Sequence, residues 1–203
     1  MGHVRPVDRS QLVDFEKLFG RFDRAMGYVP NSLFVMGHRP DLLEAFARLV
    51  GVITGPGAVD QGLKQLVALV ASGVSGCRYC QAHTASLATN YGVDVDRVAQ
   101  VWEFEQSDLF SDAERSALRL ARDAAQQPSQ ASPAHFAALS AHFDEAQIIE
   151  IVAVISLFGF LNRWNDTLAT DLEDEPLEFA SRHLGQAGWE PGRHRPERAG
   201  ATP

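Results

Sequence analysis

Cysteine is almost missing from this chain: Cys77 and Cys80 are the only two in 203 residues, and they stand three positions apart. So low a content excludes a fold stapled by several disulfides. Positive charge is also short, with 18 Lys and Arg against 26 Asp and Glu and a net charge of −8. A phosphate-backbone binder gathers its cations into patches, and no basic patch with interleaved aromatics is found, so nucleic acid is excluded as a partner. No uninterrupted apolar run reaches the ~20 residues of a membrane span. The most apolar stretch, 148–161, contains Glu150, ends at Asn162 and Arg163, and reads as a buried core helix of a protein with no membrane partner. Met1, Gly2, His3, Val4, Arg5 and Pro6 lack the apolar core of a secretion signal. The expectation is a cytoplasmic protein with both thiols reduced.

What is present is ordinary for a globular chain: 45% hydrophobic and 22% charged residues. A chain of this length buries roughly 70% of the surface its unfolded form exposes. A single domain over 1–184 is expected. Residues 185–203, rich in Gly, Pro and Arg, read as a mobile tail or one that folds onto a partner subunit.

Apolar residues recur at helical spacing throughout and no period-two strand is evident, so the fold class is all-α, a helical bundle. Leu12, Phe15, Leu18, Phe19 and Phe22 mark one face of a helix over 8–26, closed by Gly27 and Pro30. A helix over 41–53 follows. Asp60 stands at an N-cap position for a helix that weakens at Gly73 and Gly76, and a new helix is expected from Cys77 to a stop at Gly92. Asp94 caps a short helix over 95–102. Ser111 with Glu114 forms a capping box that opens a helix to about Ala125. Ser132 and Pro133 start another through His142, Asp144 starts the apolar helix to Trp164 or beyond, and a last helix is expected over 176–184.

Shifting the sequence by 85 residues places Gln65 to Val70 on Glu150 to Ile155, and Cys77 and Cys80 on Asn162 and Asn165. The aligned stretches agree at Val67, Ala68 and Arg78. An internal two-helix repeat and a chance match between two apolar helices both account for this. If the repeat is real, the second copy has asparagines where the first has cysteines and serves as its packing partner.

The chemistry concentrates in Cys77, Cys80 and His83. A Cys-x-x-Cys pair at a helix start has its thiolate stabilised by exposed N–H groups and the positive end of the helix dipole, and the second sulfur lies within disulfide reach. At about 100° per residue Cys80 lies about 60° from Cys77 and His83 about 60° further round, so all three share one flank. That spacing sets an imidazole one turn from a thiol whose proton it could take. Three other readings stand beside this one. The cysteines could be inert core residues. They could bind zinc with His83 and one of His38, His135 or His142. His83 could be structural.

The stretch 66–84, Leu-Val-Ala-Leu-Val-Ala-Ser-Gly-Val-Ser-Gly-Cys-Arg-Tyr-Cys-Gln-Ala-His-Thr, resembles the core motif of the AhpD-like alkylhydroperoxidases within the carboxymuconolactone decarboxylase superfamily, specifically over 60–89. The segment Phe160, Leu161, Asn162, Arg163 is similar to the peroxidase-related branch. The resemblance implies an AhpD-like helical bundle, a homo-oligomer, and a peroxiredoxin-type thiol peroxidase with no organic cofactor and no metal. Its substrate would be a hydroperoxide and its electron donor a thiol or a lipoyl group. By the same resemblance Cys80 attacks the peroxide, Cys77 resolves the sulfenic acid as a disulfide, and a glutamate and a histidine relay the proton. The sequence departs from that pattern twice. The glutamate twelve residues before the first cysteine is Gln65, which is no base near neutral pH. The histidine four residues after the second cysteine is Thr84, with His83 one position earlier. Thr84 projects about 40° to one side of Cys80 and His83 about 60° to the other.

Glu150 is a candidate for the missing base or for an ion pair with an arginine such as Arg163. Tyr79 and Thr84 read as residues supporting the site, Tyr79 also as pocket wall. The alternative to an enzyme is an oligomeric scaffold or redox sensor whose cysteine pair only switches state.

Overall fold

Residues 2–196 are described by a computed structural model. Among them ten α-helices are joined by turns and short 3-10 helices, with no strand. The order is α1 Glu16–Met26, α2 Asn31–Met36, α3 Pro40–Ile53, α4 Gln61–Ser75, α5 Arg78–Asn90, α6 Val95–Ala99, α7 Asp112–Ala124, α8 Pro133–Leu139, α9 Glu145–Leu168 and α10 Asp174–His183.

α4 is the centre of the bundle. It is apolar on almost every side, as a helix surrounded by others must be, and every residue from Gly62 to Ser72 is buried. The Asp60 carboxylate caps it by accepting from the Leu63 N–H at 2.9 Å. Gly76 ends it at φ 78°, a left-handed conformation that glycine adopts without a Cβ clash. The chain then reverses into α5, and α5, α9 and α7 pack around α4. α10 packs on the far side of α5.

One charge inside this core is Lys64, which is 2% exposed. Its ammonium pairs with Glu150 of α9 at 2.9 Å and donates to the Ile53 and Gly55 carbonyls at 3.2 and 3.0 Å. Glu150 also accepts from the N–H groups of Ala58 and Val59. The carboxylate on α9 is thus held by Lys64 and by the loop before α4, and neither by Arg163 nor against the cysteines.

Several boundaries differ from the sequence pattern. Residues 8–15 form two 3-10 turns, Arg9–Gln11 and Val13–Phe15, ahead of α1. Asp8 caps the first turn, and buried Leu12 leaves helical geometry at φ −112°, ψ 39°. The expected helix over 95–102 splits into α6 and a 3-10 turn, Val101–Glu103. α8 stops at Leu139. The capping boxes at Ser111 and Glu114 and at Asp144 and Gln147 form as the residue types require.

α9 is 24 residues long and contains an 18-residue stretch with a mean hydropathy of 1.6, enough by length and composition to cross a membrane. Its inner face, with Ile151, Val154, Leu157 and Phe158, is buried in the bundle, while Ile149 and Phe160 are exposed. It is a core helix with one face buried and the other exposed, where a buried core helix was expected. It also tests the repeat. At an offset of 85 residues Gly76 corresponds to Leu161, and α9 runs through Leu161 without a break, so the helix-turn-helix is not repeated. The packing part of that expectation is present: the Asn165 amide donates to Cys80 Sγ at 3.6 Å, between residues 85 apart.

The largest departure is at residues 185–196. In place of a mobile tail, two 3-10 turns, Gly185–Ala187 and Gly192–His194, fold back over the start of α5. Trp189 and His194 are buried, and the Leu172 N–H donates to the His194 carbonyl at 2.9 Å. The remainder of the expected tail, 197–203, lies outside the described residues.

Candidate active site around the cysteine pair

Cys77 is the N-cap of α5, and its sulfur accepts from the Cys80 backbone N–H at 3.4 Å. A serine or threonine in this position would do the same with an oxygen. Cysteine substitutes a group that gains more from the helix dipole once ionised. A hydrogen bond from the Cys80 thiol, opposed by burial and joined by one from His194, draws the Cys77 thiol down to about 6. Burial pushes the Cys80 thiol well up, and the neighbouring charge on Cys77 reinforces this. One proton is thus shared by the pair, resting on Cys80 and donated to Cys77. Both cysteines are free thiols.

The two sulfurs face different surroundings. Cys80 lines a cavity of about 180 Å3 whose walls are largely apolar and include Phe46, Phe158 and Leu161. Its polar members include Gln65, His83, Thr84 and Asn165. The Gln65 amide oxygen is buried there with no hydrogen-bond partner. Cys77 lies behind Cys80 and is fully enclosed.

His83 is reached through a network that the sequence did not reveal. Its Nδ1 lies 2.9 Å from the Tyr79 carbonyl. A carbonyl only accepts, so Nδ1 carries a proton. Its Nε2 forms an ion pair with Glu173 Oε2 at 2.8 Å, with both side chains under 10% exposed. Burial presses the imidazole toward neutrality, but the Glu173 carboxylate overcomes this and the net shift is upward. Glu173 in turn is held ionised against its own burial by His83 and the Asn31 N–H. Its other oxygen accepts from Asn31 N–H and, at 2.9 Å, from the Tyr79 hydroxyl. The Tyr79 oxygen accepts from Ser32 N–H at 3.3 Å, and its ring stacks on His83 with centroids 4.2 Å apart. The result is a buried imidazolium and carboxylate one turn from Cys80.

The sequence-derived site residues thus separate into two groups. Cys77, Cys80, His83, Gln65, Tyr79 and Thr84 come together. Both nitrogens of His83 are engaged and Glu173 favours its charged form, so it does not stand beside Cys80 as a free base. The Thr84 hydroxyl donates to the Cys80 carbonyl at 2.8 Å and is committed to the helix backbone. Glu150 is elsewhere. Glu173 and His194 were missed. The signals for them were faint: Glu173 sits in an acidic run just before a helix, and His194 shares its Gly- and Pro-rich stretch with Trp189. The histidines considered for zinc are engaged elsewhere or apart: His38 Nε2 contacts the Arg5 carbonyl and His135 pairs with Asp123. Among the described residues no group of three or more His, Cys, Asp or Glu is arranged to hold a metal ion.

Comparison with known proteins gives the chain relatives in sequence and in fold. The family model described as the carboxymuconolactone decarboxylase family matches residues 40–123. The crystal structure of the debrominase Bmp8, a cysteine-to-alanine variant in complex with 2,3,4-tribromopyrrole, is 33% identical with a TM-score of 0.83, over 88% of this chain and 96% of that one. An AhpD-core, peroxidase-related protein from Ralstonia eutropha JMP134 shares the fold at 22% identity and a TM-score of 0.78, over 88% of this chain and 95% of that one. The uncharacterized protein YnjA of Escherichia coli (strain K12) is 30% identical over 110 residues, 54% of this chain. The match spans only 60% of YnjA's length. The chain belongs to the carboxymuconolactone decarboxylase family.

Proposed function

We propose that the protein is a thiol-dependent peroxidase in which Cys80 reacts with an organic hydroperoxide and Cys77 resolves the product. The observation that carries this reading is the division of labour between the sulfurs. Cys80 faces a largely apolar cavity that suits an alkyl or aryl hydroperoxide, while the enclosed Cys77 holds the negative charge. Transfer of the shared proton from Cys80 to Cys77 leaves a thiolate on the cavity wall, beside the His83 cation and the Asn165 amide. That thiolate attacks the distal peroxide oxygen: the S–O bond forms, the O–O bond breaks, and the leaving alkoxide takes a proton to depart as alcohol. Cys77, returning its proton to solvent, then attacks the Cys80 sulfenic acid, forming the disulfide and releasing hydroxide that is protonated to water. Two thiols and one hydroperoxide give a disulfide, an alcohol and water. A thiol or lipoyl-type donor restores the pair. A cytoplasmic location, where such donors are reduced, and a homo-oligomeric state belong to the same proposal.

Within it, Glu173 fills the chemical place left by Gln65, since it supplies the carboxylate that keeps His83 charged. The test is steady-state hydroperoxide consumption with dithiol donors. Wild type should turn over and Cys80→Ser should not; consumption that survives Cys80→Ser sinks the reading.

The 33% identity to a debrominase over nearly the whole chain supports a second reading, reductive removal of halide from an aromatic ring. The same dithiol supplies the electrons: aryl bromide and two thiols give the arene, the disulfide and HBr. Bromide release from a bromopyrrole, without hydroperoxide consumption, would select it. A non-enzymatic redox sensor would form the disulfide reversibly, change its assembly on oxidation, and turn over neither substrate.

A further inference from the structure

We infer that His194, carried over the start of α5 by residues 185–196, is a positioning residue for Cys77: it holds the Cys77 thiolate as leaving group when the disulfide is reopened. The inference rests on the thiol-redox reading above and extends it to the reductive half of the cycle.

The geometry is specific. His194 has no exposed surface. Its Nδ1 lies 2.8 Å from the Thr170 carbonyl, which fixes that nitrogen as the donor and turns Nε2 inward. Nε2 is buried with no partner in hydrogen-bond geometry, and Cys77 is the side chain that most favours its charged form. Asp166 Oδ1 stands 3.6 Å away from Nε2. The Tyr79 ring packs against the imidazole at 5.9 Å between centroids. A buried imidazole nitrogen facing a sulfur gains only when the sulfur is charged or can share a proton. Burial is the largest single influence and opposes the charge on His194, but Cys77, the Thr170 carbonyl and Asp166 together outweigh it. The charged and titratable groups facing Cys77 are Cys80 and His83 from α5, His194 from the C-terminal turn and, through His194, Asp166 from α9.

Each sulfur therefore has its own imidazole. His83 with Glu173 stands beside Cys80, and His194 with Asp166 beside Cys77. This asymmetry suits reduction of the pair by a dithiol donor. The donor thiolate attacks Cys80, which lines the cavity, and forms a mixed disulfide. The Cys77–Cys80 bond breaks and Cys77 leaves with the electron pair. The donor's second thiolate then attacks its own bound sulfur, and Cys80 leaves in turn. The more acidic thiol departs faster, and His194 makes Cys77 that thiol. Asp166, whose side chain is 41% exposed, gives the His194 proton a route to solvent.

The test uses the full chain. In a Cys80→Ser background Cys77 is the single thiol and the serine hydroxyl can still donate to it. Its ultraviolet thiolate absorbance is followed against pH with and without His194→Gln. The expected result is an upward displacement of the Cys77 midpoint by about one pH unit, and coincident curves overturn the inference. With Cys80 intact, opening of the preformed disulfide by a small dithiol should slow about tenfold in His194→Gln, while sulfenic acid formation in Cys77→Ser is unchanged by it. Equal slowing of both steps would mark a merely structural role and overturn the inference. Should His194→Gln fail to fold, the His194 ring-proton resonance of wild type decides. Its titration should move to lower pH on oxidation to the disulfide, and identical titrations in the two states refute the assignment. None of these readouts needs hydroperoxide turnover, so failure of the peroxidase reading would be seen separately.

Discussion

At the scale of single residues, the site is governed by which groups keep a charge while buried. Glu173→Gln preserves an acceptor for the Tyr79 hydroxyl and the Asn31 N–H but removes the charge opposite His83. With burial no longer opposed, the imidazole should titrate below its ordinary value. Hydroperoxide turnover should fall by roughly a hundredfold, measured as kcat/KM against pH. The signs of the two pH dependences are opposite. His83 is raised in the fold, so its contribution to stability is present below its unfolded value and is lost as pH rises through its folded one. Cys77 is lowered to about 6, so its contribution is present above the unfolded thiol value and is lost as pH falls through about 6. Denaturant titrations of reduced wild type and Cys77→Ser should therefore diverge as pH is raised from about 6 to about 8.5.

These residues also show what the sequence made legible. Cys77, Cys80 and His83 lie within seven positions, so helical spacing alone brought them to one flank. Their ionisation was not legible, because it depends on Glu173 and His194, which are distant in the chain and arrive only through tertiary folding. Glu150 shows the converse. A lone carboxylate in an apolar helix signalled burial and pairing correctly, but its partner Lys64 lies in another helix that reads as apolar throughout.

At the scale of elements, α4 and its break at Gly76 fix the position of Cys77, and the Lys64 and Glu150 pair fastens α4 to α9. Glu150→Ala leaves a buried ammonium without its counter-ion and should destabilise the protein by about 3 kcal/mol, read from urea unfolding. The turnover of the folded fraction should stay near wild type, since Glu150 lies outside the Cys80 cavity. A selective loss of turnover without loss of stability would return Glu150 to the site. Helix order was legible in periodicity, caps and glycines. The boundaries around 8–15 and 100–103 were not, because buried Leu12 and the packing of Val101 and Phe104 decide them.

At the scale of the whole molecule, residues 185–196 close the bundle over the cysteine helix. Low apolar content suggested that they have little to bury, yet Trp189 and His194 suffice to anchor the turns. Deleting residues 185–203 should uncover Cys77, raise its pKa toward the ordinary thiol range, and increase its labelling by a bulky maleimide at a pH where both forms are ionised. A labelling rate and titration equal to those of the full chain would show that the turns do not govern access.

The backbone bond from Leu172 to His194 has a consequence for the order in which the molecule matures. Contacts between α4 and α5 are local and form early, whereas bringing His194 to Cys77 closes a loop of more than half the chain, which is slow and comes late. Until that closure, the cysteines of a folding chain lack one of the partners that make Cys77 acidic. The full acidity of Cys77 is thus expected only once that step is complete, and a chain stalled before it should carry a less acidic Cys77.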